Sequence, residues 1–390
     1  MTHSVVQRIN ELGPALAETA DETEELGRLS DTAVKLVRDA GVMRMLQPKE
    51  HGGFQADPGD FAEAVMATAS WCGSTGWVCG VGGVHPWEMA LMDPKLQQEV
   101  WGEDQDTWIA SPYAPGGFTV PTEGGYRLSG RWPFSSGTDH CQWVFLGTIL
   151  GTDPKTMAQP IRGVHVVLPR SDYEILADSW QVMGLRGTGS KDVVVKDAFI
   201  PTYRTIGAET MNDGPTIRPE PLYRIPFYSI FPLGITAAVV GMAEGLLRLH
   251  LEQARTRKTW SGAPSYVDDG TTTAPVAAAA AEIAASHALL VDNITRVFDK
   301  VAAGEEITVA DRAIARRNQI SCAWRAARAA SEIFARSGGN AIRTDNPLQR
   351  FFRDVNAGLQ HAIHAPGHTY ASSVKAAVGL ELSPTEMVLI

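Results

Sequence analysis

Gly184-Leu-Arg-Gly-Thr-Gly-Ser190, with Asp192-Val-Val-Val195 just beyond it, decides between two architectures. Three glycines invite a nucleotide-fingerprint reading, but they run G-x-x-G-x-G, and a dinucleotide-binding turn must open a helix. Here they open a run of β-branched valines, so the turn leads into a strand. A nicotinamide-binding domain is excluded on that ground.

The surroundings agree. From Thr107 to Arg204 the pattern is strands and turns: Trp108-Ile-Ala-Ser-Pro-Tyr-Ala-Pro115, Gly125-Tyr-Arg-Leu-Ser-Gly130, Val164-His-Val-Val-Leu168 and Val193-Val-Val195, with glycine and proline between them. Before this region the chain reads as helices. Ser30 is a candidate N-cap for 31–40 and Gly41 its C-terminal stop, while Pro58-Gly-Asp60 opens another helix. Small residues in Ala69-Ser-Trp-Cys-Gly-Ser-Thr-Gly-Trp77 and Gly80-Val-Gly-Gly-Val-His-Pro-Trp87 would let helices approach closely or leave a cavity. His85, Trp77 and Trp87 are its candidate lining, and a satisfied core histidine is the alternative for His85. From about Pro226 the chain is helical again, interrupted by a loop at Ser261 to Pro275. Ile283, Leu290, Ile294, Val297 and Val301 form a bundle-type stripe. Thr308-Val-Ala-Asp311 resembles a capping box, and a last helix through Arg350 to Asp354 is expected to end at Pro366. The expected division is an N-terminal α-helical domain (1–105), a central β-barrel domain (106–215) and a C-terminal four-helix bundle (216–390).

With 44 acidic against 34 basic residues and no basic run, nucleic acid is not the expected partner. No uninterrupted apolar run approaches the roughly 18 residues of a membrane span, so no membrane partner and a cytoplasmic setting are expected. Cys72, Cys79, Cys141 and Cys322 lack C-x-x-C spacing, which predicts reduced, buried thiols.

The candidate reaction site is Gly130-Arg-Trp-Pro-Phe-Ser-Ser-Gly-Thr-Asp-His140, read as a turn between two strands. Adjacent hydroxyls near aromatic side chains would suit a flat, polar-edged ring; a serine-rich hairpin loop is the alternative. His361, His364 and His368 have helical spacing for a metal, but Pro366-Gly367 breaks the helix and no acid lies near, so no metal site is expected.

Pro48-Lys-Glu-His-Gly-Gly53, Gly184-Leu-Arg-Gly-Thr-Gly-Ser190, Arg257-Lys-Thr-Trp260, Ser337-Gly-Gly-Asn340 and Arg350-x-x-Arg353-Asp354 resemble, in this order, motifs of the acyl-CoA dehydrogenase superfamily. That family's dehydrogenases use a glutamate base beyond the Arg-Asp pair. Here residues 355 to 380 hold no acid and His361 stands instead, while a second site near the start of the bundle leaves only Glu244. The departure resembles the flavin-dependent monooxygenases of the same fold, the oxygenase components of two-component phenol hydroxylases. Further stretches carry that likeness: Cys72-Gly-Ser-Thr-Gly-Trp77, Ser111-x-Tyr-Ala-Pro115 and Ser135-Ser-Gly-x-Asp-His140.

The resemblance implies reduced flavin (FMNH2 or FADH2) supplied by a separate flavin reductase, O2 as co-substrate, and a flavin C4a-hydroperoxide that hydroxylates a phenolic or polycyclic aromatic substrate. It also implies a homotetramer. Ser136 becomes the hydroxyl for flavin N5, with Ser135 in reserve and Trp132 and Phe134 as walls. His361 becomes the base that takes the phenol proton, and His85 a second contact. Trp108, Ser111, Tyr113, Arg257, Trp260, Gly338 and Gly339 complete the expected flavin-binding set. Oxygenation of nitrogen or sulfur, dehydrogenation through Glu244, or flavin binding without turnover are the alternatives.

Overall fold

The structure, a computed structural model, describes residues 2–150, 162–212, 217–257, 265–387 and 390. Seven helices come first: α1 (Ser4–Glu18), α2 (Ala20–Leu26), α3 (Asp31–Ala40), α4 (Pro58–Trp71), α5 (Gly73–Gly82), α6 (His85–Met89) and α7 (Pro94–Trp101). Their starts follow from capping. Ser30 Oγ accepts from the Ala33 amide at 3.2 Å, and Asp57 does the same for Gly59 at 2.7 Å ahead of Pro58. Gly41, at φ +88°, ends α3 as the sequence predicts.

Eight strands follow: β1 (Ile109–Ala110), β2 (Gly117–Thr122), β3 (Gly125–Ser135), β4 (Trp143–Leu150), β5 (Arg162–Pro169), β6 (Glu174–Leu176), β7 (Lys191–Pro201) and β8 (Thr205–Gly207). They pair in the order β6-β7-β3-β2-β4-β5-β8, with β1 parallel to β4. Among the described residues this path has two ends, β6 and β8, rather than closing on itself. The stretch from Gly184 to Ser190 does lead into a strand, β7, which pairs antiparallel with β3. The β3–β7 register shifts between Trp132 and Ser135, where Phe134 takes φ +66°. The strand ends just after that irregularity, and Ser136 is the first residue beyond it. The expected turn is therefore shorter than its motif: Gly130 to Ser135 is strand, and the connection to β4 begins at Ser136.

The remaining helices are α8 (Ala208–Asn212), α9 (Phe227–Ala254), α10 (Gly270–Ala302), α11 (Val309–Ala335), α12 (Pro347–Gly358), α13 (Gly367–Ala377) and α14 (Pro384–Met387). The predicted stripe on α10 is buried along its length, and Thr308 and Asp311 make the predicted reciprocal cap. Three expectations are corrected. The helix after Asn346 ends at Gly358, not Pro366, because the chain turns there through a single 3-10 turn (Ala362–His364), and α13 follows. Helix α10 begins at Gly270, because Asp269 caps the Thr271 amide at 3.0 Å and Pro275 is tolerated near the start. Residues 261–264 lie outside the described residues. Finally, α9 and α10 are long and apolar enough to cross a membrane by length and composition. The most apolar window of α9 is 89% buried inside the protein, that of α10 only 28%.

Helix α9 is the axis of the molecule, packed against α4, α5, α10, α11 and α12. Its glycines permit backbone contact: a Cβ on Gly234 would lie 2.1 Å from the Gly80 carbonyl oxygen, and one on Gly80 would lie 2.3 Å from that of Gly234. Close approach, one of the two readings of these small residues, is realised between Gly80 and Gly234. Gly234→Ala should therefore lower stability by about 1–3 kcal/mol through forced separation of α5 and α9. Urea unfolding measures this; a wild-type midpoint would show that the contact is slack.

Candidate active site

Trp77 on α5 is the meeting point. Its indole Nε1 donates to Ser136 Oγ at 3.3 Å, and its ring lies 6.0 Å from that of His361. Gly358, at the end of α12, leaves room for it, since a Cβ there would stand 2.9 Å from the indole. Two residues expected at the reaction centre from separate domains thus share one buried neighbour.

His361 opens the 3-10 turn, and its Nδ1 accepts from the Ile363 amide at 3.2 Å. Burial pushes its pKa down to about 4, with the Arg316 charge adding to the effect. A neutral imidazole whose Nδ1 accepts carries its hydrogen on Nε2. In this tautomer Nε2 is the donor; the expected role as base would use the other tautomer, at the expense of the bond from the Ile363 amide. The turn is tied down from below. Buried Arg316 donates to the Ile363 carbonyl at 2.8 Å and to Gln319 at 2.7 Å, and Gln319 donates to the Ser229 carbonyl at 2.8 Å.

The other two histidines of this run go elsewhere. His364 is buried between the Gly358 carbonyl and Thr236 Oγ1, both at 3.2 Å, with its pKa lowered by burial to about 3; His368 is exposed.

The expected flavin walls differ from each other. Phe134 is 65% exposed, its ring edge-on to Trp180 at 6.0 Å. A large aromatic held open beside a buried hydroxyl fits a face that a planar ring would cover. Trp132 is fully buried and donates to the Gly147 carbonyl at 2.6 Å, so it fills the interior of the sheet. The hydroxyl of Ser135 is buried without a partner among the described residues, whereas that of Ser136 bonds Trp77 and Ser190.

His85 is fully buried; it donates from Nδ1 to the Ile109 carbonyl at 2.5 Å and accepts on Nε2 from Ser111 at 2.6 Å, with its pKa lowered by burial to about 4. Both ring nitrogens and the hydroxyl hydrogen of Ser111 are engaged, as the core-histidine alternative expects. The ring of Trp108 lies under the Arg38 guanidinium at 4.7 Å. The ring of Tyr113 is edge-on to Phe231 at 5.0 Å, and Phe231 is 6.4 Å from His361. Its hydroxyl donates to Glu88, a buried acid that also takes His165 Nδ1 at 2.6 Å. Sequence reasoning missed Glu88 and His165. The available signal was an acid inside the apolar run Pro86-Trp87-Glu88-Met89, where an acid must find partners.

Arg257, Gly338 and Gly339 form a second cluster. Arg257 donates to the Arg336 carbonyl at 2.8 Å and stacks on Tyr266 at 4.5 Å, with Gly338 against its guanidinium. Helix α9 carries the chain from Phe231 to Ala254, roughly 35 Å at 1.5 Å per residue. One protomer therefore does not bring this cluster to Ser136 and His361. Trp260 lies outside the described residues.

Residues 233–366 match the family model "Acyl-CoA dehydrogenase, C-terminal domain", which sets the class of the helical bundle. Across its length the chain is similar to a pigment production hydroxylase of Rhodococcus erythropolis, 48% identical over 98% of each chain. It is similar as well to the flavin-dependent monooxygenase oxygenase subunit HsaA of Mycobacterium tuberculosis, 41% identical over 94% of this chain and 93% of the relative. A more distant relative is the oxygenase component of an FADH2-dependent resorcinol hydroxylase of a Rhizobium species, 30% identical over 92% of this chain and 90% of the relative. The crystal structure of 3-HSA hydroxylase from Rhodococcus sp. RHA1 superposes with a TM-score of 0.93 at 38% identity over 99% of each chain. The chain belongs to the family of flavin-dependent monooxygenase oxygenase components. As such it is an enzyme that works on reduced flavin delivered by a separate reductase.

Glu244, the acid that a dehydrogenase reading would need, is engaged elsewhere. Its carboxylate meets His287 Nδ1 at 2.7 Å, and His287 Nε2 meets Glu63 at 2.9 Å, joining α9, α10 and α4. Hydrogen bonds to Glu244 and then Glu63 raise the His287 pKa from 6.5 to about 10. A pKa raised on folding gives stability that is complete below the unfolded value and is lost as pH climbs through the folded one. The stability difference between wild type and His287→Gln should thus be greatest near pH 6 and shrink from pH 7 to 10. A difference flat across that range, by urea unfolding, would show that the imidazole is not held charged.

Proposed function

We propose that the chain hydroxylates a phenolic ring, single or fused, at a site formed by Ser136, Phe134, Trp77 and His361. The observation that carries this reading is the pair of opposite hydrogen-bonding roles around one indole, an acceptor at Ser136 Oγ and a donor at His361 Nε2. Flavin, as FMN or FAD, supplies the oxygen-activating chemistry when bound. Ser136 would accept from its N5 hydrogen, and Phe134 would cover the ring from water. In the overall reaction one atom of O2 enters the substrate ring and the other leaves in water, with two electrons drawn from the reduced flavin.

His361 would meet the phenol oxygen. A phenol ionises near pH 10, and its phenolate attacks oxygen far better than the neutral form. A neutral N–H donor at the oxygen would stabilise that phenolate without itself carrying charge, the phenol proton leaving to solvent as substrate binds, which is the balance the depressed pKa of His361 provides. The resorcinol relative, named for a phenol, supports this substrate class.

The reading includes a homotetramer. Helix α10 leaves most of an apolar window uncovered, and the Arg257 cluster would serve a flavin bound mainly by another protomer. A cytoplasmic setting goes with delivery of reduced flavin by the reductase.

A screen of phenols for flavin-dependent O2 uptake coupled to a hydroxylated product tests the whole proposal, and uptake that yields only hydrogen peroxide with every phenol would sink it. His361→Ala should slow product formation about 10²- to 10³-fold while flavin reoxidation continues. Since the imidazole stays neutral down to about pH 4, the product yield should show no ionisation near pH 6.5. Unchanged turnover in the variant would remove His361 from this role.

A further inference from the structure

Four buried groups form a hydrogen-bond chain behind the candidate site, and its direction can be counted out. Thr188 Oγ1 lies 2.8 Å from the Leu185 carbonyl oxygen, which can only accept, so the Thr188 hydrogen is spent there. Ser190 Oγ is 2.6 Å from Thr188 Oγ1 and must therefore be the donor in that pair. Ser136 Oγ is 2.8 Å from Ser190 Oγ, and because the Ser190 hydrogen is spent, Ser136 must donate in its turn. Trp77 Nε1, a donor only, fills one lone pair of Ser136 at 3.3 Å. The far end is anchored. Leu185, at φ +55°, donates its amide to Asp354 at 2.6 Å, and the Thr188 carbonyl accepts from the Gly137 amide at 2.8 Å.

We propose that Thr188 and Ser190 are positioning residues that make Ser136 Oγ an obligate acceptor, so that the site discriminates between redox states of flavin. This rests on the reading of Ser136 as the partner of flavin N5. With its hydrogen committed to Ser190 and one lone pair taken by Trp77, Ser136 has a single lone pair left. Reduced flavin carries a hydrogen on N5 and satisfies it. Oxidised flavin presents a lone pair at N5, and two facing lone pairs leave both atoms unpaired in a dry site. One such swap is worth about ten- to a hundredfold in relative affinity. The device lies behind Ser136: a threonine two hydrogen bonds away sets which form is retained and which is released to the reductase.

The test is anaerobic titration of the full-length protein with oxidised and with dithionite-reduced FMN and FAD. The readout is the ratio of the two dissociation constants, oxidised over reduced. Thr188→Val removes the acceptor for Ser190, which can then donate to Ser136 and turn the Ser136 hydrogen toward flavin. The ratio should fall about tenfold, mainly through tighter binding of the oxidised form, while Thr188→Ser should keep the wild-type ratio. Ser190→Ala should act as Thr188→Val does and replaces it if that variant does not fold. Ser136→Ala should also lower the ratio. If it does so while Thr188→Val and Ser190→Ala keep the wild-type value, the chain of donors is overturned and the N5 reading stands. If Ser136→Ala leaves the ratio unchanged, the N5 reading fails and the inference falls with it.

Discussion

One buried indole has to satisfy the sheet and the helical bundle at once. Trp77 reaches the sheet through its N–H and the bundle through its ring, so the separation of Ser136 from His361 is set by a rigid body rather than by loops. For that to work α5 must lie hard against its neighbours. Gly76 packs on Ala69 of α4 and Gly80 on Gly234 of α9, each so close that a side-chain carbon would collide with backbone. The glycines cost helix propensity, and the packing they permit is what returns it.

Polar groups around this indole are buried and nearly all are paired, which makes the site stiff. His85 and His364 have both ring nitrogens engaged, Arg316 spans from α11 to the turn that carries His361, and Glu88 holds Tyr113 and His165 together. Burial lowers the pKa of His85, His361 and His364 alike, and each is kept in one tautomer by its neighbours. Of these three, His361 alone has a ring nitrogen without a hydrogen bond among the described residues, and Phe134 beside Ser136 is open. A ligand that brings one hydrogen-bond acceptor and one flat face meets both needs.

Much of this was legible in sequence where local chemistry decides the outcome. Caps at Ser30 and Thr308, the valine run after Gly189 and the stripe on α10 are decided by a few neighbouring residues. What failed depends on contacts far apart in the chain. Nothing local says that His85 will be consumed by Ile109 and Ser111, that Trp132 will turn into the sheet while Phe134, two residues on, is held open by a bulge, or that Glu88 will find His165, 77 residues away. Counting apolar runs misjudged α9 and α10 because charges and small residues interrupt the runs without ending the helices. Family likeness grouped Arg257 with Ser136, and the length of α9 separates them.

The substitution of His361 for an acid follows from what each group would do to a phenol. A carboxyl buried beside Phe231 and Trp77 would be held protonated by its apolar surroundings, and in that form it has no lone charge with which to draw a proton from phenol. A neutral imidazole pinned on Nδ1 would, in the proposed site, turn its Nε2 hydrogen to the phenol oxygen and leave no charge behind when substrate departs. Arg316 tips the balance further: its charge disfavours imidazolium, and its hydrogen bond to Ile363 fixes the amide that points at Nδ1. The acid at Glu244, free of any such duty, is used with Glu63 to clamp His287 between three helices.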